Sequence, residues 1–133
     1  MTVGMSVPLR NARLDAIETF VGSAPLLRIY DGTRPSTGGA VTTLLAELAC
    51  NADFSAAASS GTLTLNAISN DNAANATGTA SWARLVKSDG TTHCMDFSVT
   101  ATGGGGDITV ATVSFVANAV ITMTSAVFTE GNP

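Results

Sequence analysis

Apolar and polar positions follow two different periods along this chain. From Pro8 to Val21 the apolar residues Leu9, Ala12, Ala16, Ile17 and Phe20 recur at three- and four-residue steps, and Arg10, Asn11, Asp15, Glu18 and Thr19 fall elsewhere. That spacing predicts an amphipathic helix over 8–21. Ser6 suits its N-cap, Pro8 is tolerated in a first turn where its missing N–H has no partner, and Gly22 ends it. A lid on a sheet is the ordinary role for such a helix; docking on another subunit is the alternative. Residues 1–7 before it show no periodicity and read as an arm.

Beyond Pro25 the pattern changes to strands punctuated by turn residues. Leu26–Tyr30 is a strand stopped by Asp31-Gly32, and Thr33–Ala40 is a loop. Val41–Leu48 is taken as a strand with Leu44, Ala46 and Leu48 on one face, although its composition also favours a helical turn. In the loop from Asn51 to Gly61, Phe54 is expected to plug an apolar gap. Thr62–Leu65 alternates as a half-exposed strand, and Ser69–Thr77 is a polar connection. Ile108–Val110 and Val113 with Phe115 are short strands. Ala119–Phe128 closes the chain, with Ile121, Met123 and Val127 on one face and Thr122 and Thr124 on the other.

At the centre lies a hairpin within Gly78–Val110. Reading Asp89 and Gly90 as its two-residue loop pairs Trp82 with Phe97, Arg84 with Met95 and Val86 with His93. Trp82, Val86, Met95, Phe97 and Val99 then share one face, and the other, with Ala83 opposite Asp96, faces solvent. Short strands spaced by turns, without strand–helix alternation, predict an all-β fold: a jelly-roll-like antiparallel β-sandwich with one N-terminal amphipathic helix. The domain plan is an arm over 1–7 and a single β-sandwich domain over 8–133, including the helix 8–21.

Composition refines this picture. A chain of 133 residues fits one domain without needing disulfides. Charged residues make up only 12 %, against roughly 25 % in ordinary proteins. Interface centres are similarly depleted in charge, so a surface covered by other subunits accounts for the shortfall as well as a merely threonine-rich one does. The net charge of −4 and six scattered basic residues give no basic stripe, which argues against direct nucleic-acid binding. No apolar run approaches the ~18 residues of a membrane span, and residues 1–13 lack a secretory layout, so maturation in a cytoplasm is expected. Cys50 and Cys94 then read as reduced, packed thiols.

Candidate chemistry is sparse. Gly103–Gly106 invites a phosphate-loop reading, but the following Asp107-Ile108-Thr109-Val110 is acidic and strand-like, where a helix N-terminus is needed. One histidine and two cysteines cannot fill a zinc site, and Asp31, Asp71, Asp89, Asp96 and Asp107 lack calcium-loop spacing. Adjacent residues in a strand point to opposite faces, so His93 and Cys94 do not form a dyad. One Trp and one Tyr supply no evident sugar platform, and Asn75-Ala76-Thr77 matches a glycosylation acceptor that a cytoplasmic chain does not use. No catalytic, cofactor-binding or metal-ligating residue is therefore assigned, no cofactor is expected, and the chain is read as a non-enzyme.

Three segments carry a resemblance: L-R-N-A-R-L-D-A-I-E at Leu9–Glu18, S-D-G-T-T-H-C-M at Ser88–Met95, and T-A-T-G-G-G-G-D-I-T-V followed by the final strand and T-E-G-N at Thr129–Asn132. Together they resemble small structural proteins of tailed bacteriophages, of the kind that decorate or cement an icosahedral head. The resemblance implies a jelly-roll-like sandwich, binding to the major capsid protein, a homo-oligomer, and a place on the outer capsid surface of a virion assembled in a bacterial cytoplasm. A tail, neck or fibre-associated virion protein is one alternative. A carbohydrate- or host-surface-binding β-sandwich module is the other.

Overall fold

A computed structural model describes residues 3–129. Met1 and Thr2 of the expected arm, and Glu130–Asn132 of the final motif, lie outside the described residues. Helix α1 spans Val7–Val21; the Ser6 hydroxyl accepts from the Leu9 N–H, and Gly22, at φ 77°, closes the helix by donating to Glu18 O. Nine strands follow among the described residues: β1 (Leu26–Tyr30), β2 (Leu44–Ala49), β3 (Thr62–Thr64), β4 (Gly78–Thr79), β5 (Trp82–Val86), β6 (His93–Ala101), β7 (Ile108–Val110), β8 (Ser114–Phe115) and β9 (Met123–Thr129). These residues are mostly β, with one helix and a large mixed sheet of seven strands in the order β2-β1-β5-β6-β7-β9-β3; β4 and β8 pair separately.

Not every pair is antiparallel. β6 and β7 run parallel, with Val99 beside Ile108 and Ala101 beside Val110. Parallel neighbours ordinarily need a crossover of a dozen or more residues, and here Thr102–Asp107 suffices. The run Gly103–Gly106 makes the short route possible. A Cβ on Gly104 would sit 2.7 Å from the Thr100 side chain, and one on Gly106 would sit 2.9 Å from Thr100 N. The crossover is pinned by the Gly106 N–H on Thr100 Oγ1 (3.0 Å), the Asp107 N–H on Ser98 Oγ (3.0 Å) and the Ser98 N–H on Asp107 Oδ2 (2.9 Å).

The central hairpin forms, but one residue out of the expected register. Ser88 and Asp89 take the corner, Gly90 donates to Lys87 O, and only Gly90 has positive φ (76°). Asp89 fixes the turn by accepting from the N–H groups of Thr91 (2.8 Å) and Thr92 (2.9 Å) and from the Thr92 hydroxyl. Those bonds hold its carboxyl far below the usual carboxylate range. Val86 faces His93 as expected; a bulge at Cys94 then shifts the ladder, so Leu85 faces Met95, Ala83 faces Phe97, Arg84 faces Asp96 and Trp82 faces Ser98. The shift divides the expected apolar face. Met95, Phe97 and Val99 line the core with Ala83 and Leu85, whereas Trp82 and Val86 join Arg84 on the opposite side, which is not solvent: all five β5 residues are buried.

The core lies on one side of the large sheet, built from Leu27, Ile29, Leu48, Leu85, Phe97 and Ile108 and their neighbours, and Phe54 fills it as expected. Segment 69–75 closes the rim. It bonds β2 through Ser69 N–H to Ala49 O and Asn75 N–H to Leu45 O, and the chain before β9 through the reciprocal Asp71–Ile121 pair. Helix α1 covers the end near β3 with Leu14, Val21 and partly buried Ile17.

Of the predicted apolar stripe of that helix, Ile17 packs inward and the rest does not. Leu9, Ala12, Ala16 and Phe20 are exposed, because two polar residues do the docking: Asn11 Oδ1 accepts from the Gly61 N–H (2.8 Å) and Asp15 Oδ1 from the Ala58 N–H (2.7 Å). These satisfy donors at the tight Ser60-Gly61 turn, where both residues have positive φ (52° and 74°).

Candidate interaction surfaces

On the side away from the core, strands β2, β1, β5 and β6 carry a cross-strand row of four charges. Glu47 lies opposite Arg28, Arg28 opposite Arg84, and Arg84 opposite Asp96. The two arginines are neighbours of like charge, which is unfavourable. Each is relieved by its own carboxylate: Arg28 Nε donates to Glu47 at 2.6 Å, and Arg84 grips Asp96 through Nε (2.8 Å) and Nη2 (3.0 Å). Arg28 also ties down the hairpin tip, donating from Nη1 to Gly90 O at 2.8 Å.

Beside this row Tyr30 and Trp82 stack, ring centroids 4.5 Å apart, and the Arg84 guanidinium lies 5.3 Å from the Trp82 ring centroid. The loop between β1 and β2 covers them. The Trp82 indole N–H reaches Asp31 O and Thr42 Oγ1, both at 3.0 Å, and the Gly38 N–H donates to Asp96 Oδ2 at 3.1 Å.

Asp96 is the hub. Its side chain is 3 % exposed and also meets His93 Nε2 at 3.1 Å. Burial pushes its carboxyl up, but the bonds from Arg84, Gly38 and His93 outweigh burial and hold it below the usual carboxylate range. The bond to Asp96 raises the Arg84 guanidinium in turn, against the opposing effect of burial. A histidine on a carboxylate is two-thirds of a nucleophile-activating set. Here the carboxylate is committed to Arg84 and to the covering loop, and the nearby Cys94 thiol lies toward Thr92 O, at 3.8 Å. The arrangement braces the sheet. Sequence reasoning missed it because the expected register placed Arg84 opposite Met95.

Two uncovered surfaces stand out among the described residues. The first is the outward stripe of α1: Phe20 is 54 % exposed and Leu9 49 %, with Lys87 Nζ resting 4.3 Å from the Phe20 ring centroid. The second is the face of β7, β9 and β3 turned away from the core. Thr109 lies opposite Ser125, Thr64 opposite Val127 and Thr62 opposite Thr129, so these six share it. A bulge at Thr124 turns Val127 outward, away from the expected company of Met123; Thr124 Oγ1 then bonds the hydroxyls of Thr102 and Thr109, each at 2.8 Å. A groove of about 130 Å³ flanks this face where 65–68 diverges from β9.

Among the described residues no His, Cys, Asp and Glu cluster has the makings of a metal site, and no helix is long and apolar enough to cross a membrane. Burial pushes the Cys50 thiol up to about 12 and also raises Cys94. The chain matches no protein-family model, no curated protein and no solved structure.

Proposed function

We propose that this chain is a structural protein of a tailed-bacteriophage virion, one that decorates and cements the head by binding the lattice of the major capsid protein. The observation that carries the reading is the uncharged outer face of β7, β9 and β3. It is formed by the final strand and the end of the Thr100–Val110 segment, two of the stretches in which the resemblance lies, together with β3. Thr62, Thr64, Thr109, Ser125, Val127 and Thr129 offer hydroxyls and one valine to a partner, with no Asp, Glu, Lys or Arg among them. Such a face costs less to desolvate against another protein than a charged one, and many copies acting in parallel stabilise an assembled lattice even when each contact is weak. A jelly-roll-like sandwich is part of the proposal. Its support is segment 69–75, which laces the β2 edge to the chain before β9 over one core.

The test is occupancy on purified particles. Copy number near that of the major capsid protein is expected, and Val127→Lys should strip the protein from particles while leaving its fold intact. A dozen or fewer copies per particle would transfer it to the tail or neck. Absence from particles, with retention on cell-surface polysaccharide, would replace the reading with a glycan-binding one.

A further inference from the structure

We propose that the outward stripe of α1 is the seat of a second copy of this chain, packed antiparallel across a two-fold axis near the middle of the helix. This deepens the self-association expected of a virion subunit and rests on that reading, naming the surface and the symmetry.

The stripe is surplus to the fold. The helix already buries Leu14 and Val21 against the body, yet Leu9, Ala12, Ala16 and Phe20 stand exposed at helical spacing on the opposite side. A two-fold interface must complement itself, because each residue meets its counterpart's surroundings. The order along the stripe does so: a large residue, two alanines, then a large residue. Reversing one copy against the other brings Leu9 over Phe20 of the second copy at both ends, and the alanines let the backbones approach to roughly 8 Å.

The charges of the helix ends point the same way. The first turn contains no acidic residue and the last turn no basic one, so no side chain in either turn offsets the partial charges at the helix ends. Antiparallel pairing sets the positive end of one helix beside the negative end of the other. Paired stripes cover on the order of 700 Å² in total, short of the roughly 1,000 Å² of a stable complex, which predicts a weak dimer that dissociates in the upper micromolar range.

Sedimentation of the full purified chain, diluted from about 100 μM to below 1 μM, should show a dimer that dissociates in the upper micromolar range. Ala16→Glu should abolish the dimer with an unchanged circular dichroism spectrum, whereas Val127→Lys on the sheet face should leave it intact. Geometry is read separately: Leu9→Cys mixed with Phe20→Cys should form a disulfide heterodimer faster than either variant links to itself. A monomer at every concentration, a dimer indifferent to Ala16→Glu, or faster self-linking would each overturn the proposal. Because no particle is involved, these results are independent of whether the protein binds a shell.

Discussion

The two halves of the large sheet share one backbone pattern and differ in what lies on the side away from the core. Over β1 and β5 that side is roofed by the loop from Asp31 to Thr43, which covers an aromatic stack and the Arg84–Asp96 pair, while Arg28 and Glu47 stand partly exposed beside it. Over β7, β9 and β3 it is bare, threonine-rich and uncharged. A strand buried on both sides specifies its register strongly; one with a bare side specifies it less, and leaves a surface free for a partner. The first half therefore sets the fold and the second is available for binding.

The sharpest way to break this contrast is to empty the roofed half. Trp82→Ala removes a fully buried indole and should cost about 3–5 kcal/mol in denaturant unfolding. Asp96→Asn leaves Arg84 without its charge partner and should cost about 3 kcal/mol. It should also flatten the acid limb of a stability profile. The Asp96 carboxyl is held low in the folded state, so its contribution is complete above an unfolded pKa of about 3.9 and is lost as pH falls through the lower folded value. The boundary between the halves is probed by Gly104→Ala, whose Cβ would crowd Thr100; overpacking of this kind costs about 1–3 kcal/mol. On the bare half, Thr64→Lys should change stability by less than about 0.5 kcal/mol, and a larger effect would mean that this face is not free. The smallest effect belongs to the helix. Burial and the neighbouring Asp53 and Asp15 raise the Glu18 carboxyl, so its ionisation opposes folding as pH rises through that value, and Glu18→Gln should raise the melting temperature slightly at neutral pH.

Local signals were legible and long-range ones were not. Ser6, Pro8 and Gly22 mark the ends of α1 because capping is decided within a few residues. Asp89-Gly90 locates the hairpin for the same reason. Periodicity found the stripe on α1 but assigned it to the core, since spacing alone does not say which side is inward; Asn11 and Asp15, which anchor the true inner side, looked like solvent-facing residues. Single-residue bulges at Cys94 and Thr124 have no sequence mark, yet each sends the following residues to the other face. The charge row escaped with them, as it joins residues far apart in sequence once the register is known. The uncovered faces, as sites, could be seen only after the covered ones were located.

The sealed thiol of Cys50 has one more consequence. Held up to about 12 and 6 % exposed, it resists alkylation for as long as the closed form persists. The pace at which a thiol reagent consumes it is therefore a clock for spontaneous breathing of the interior, readable on free subunits and on any assembly they enter.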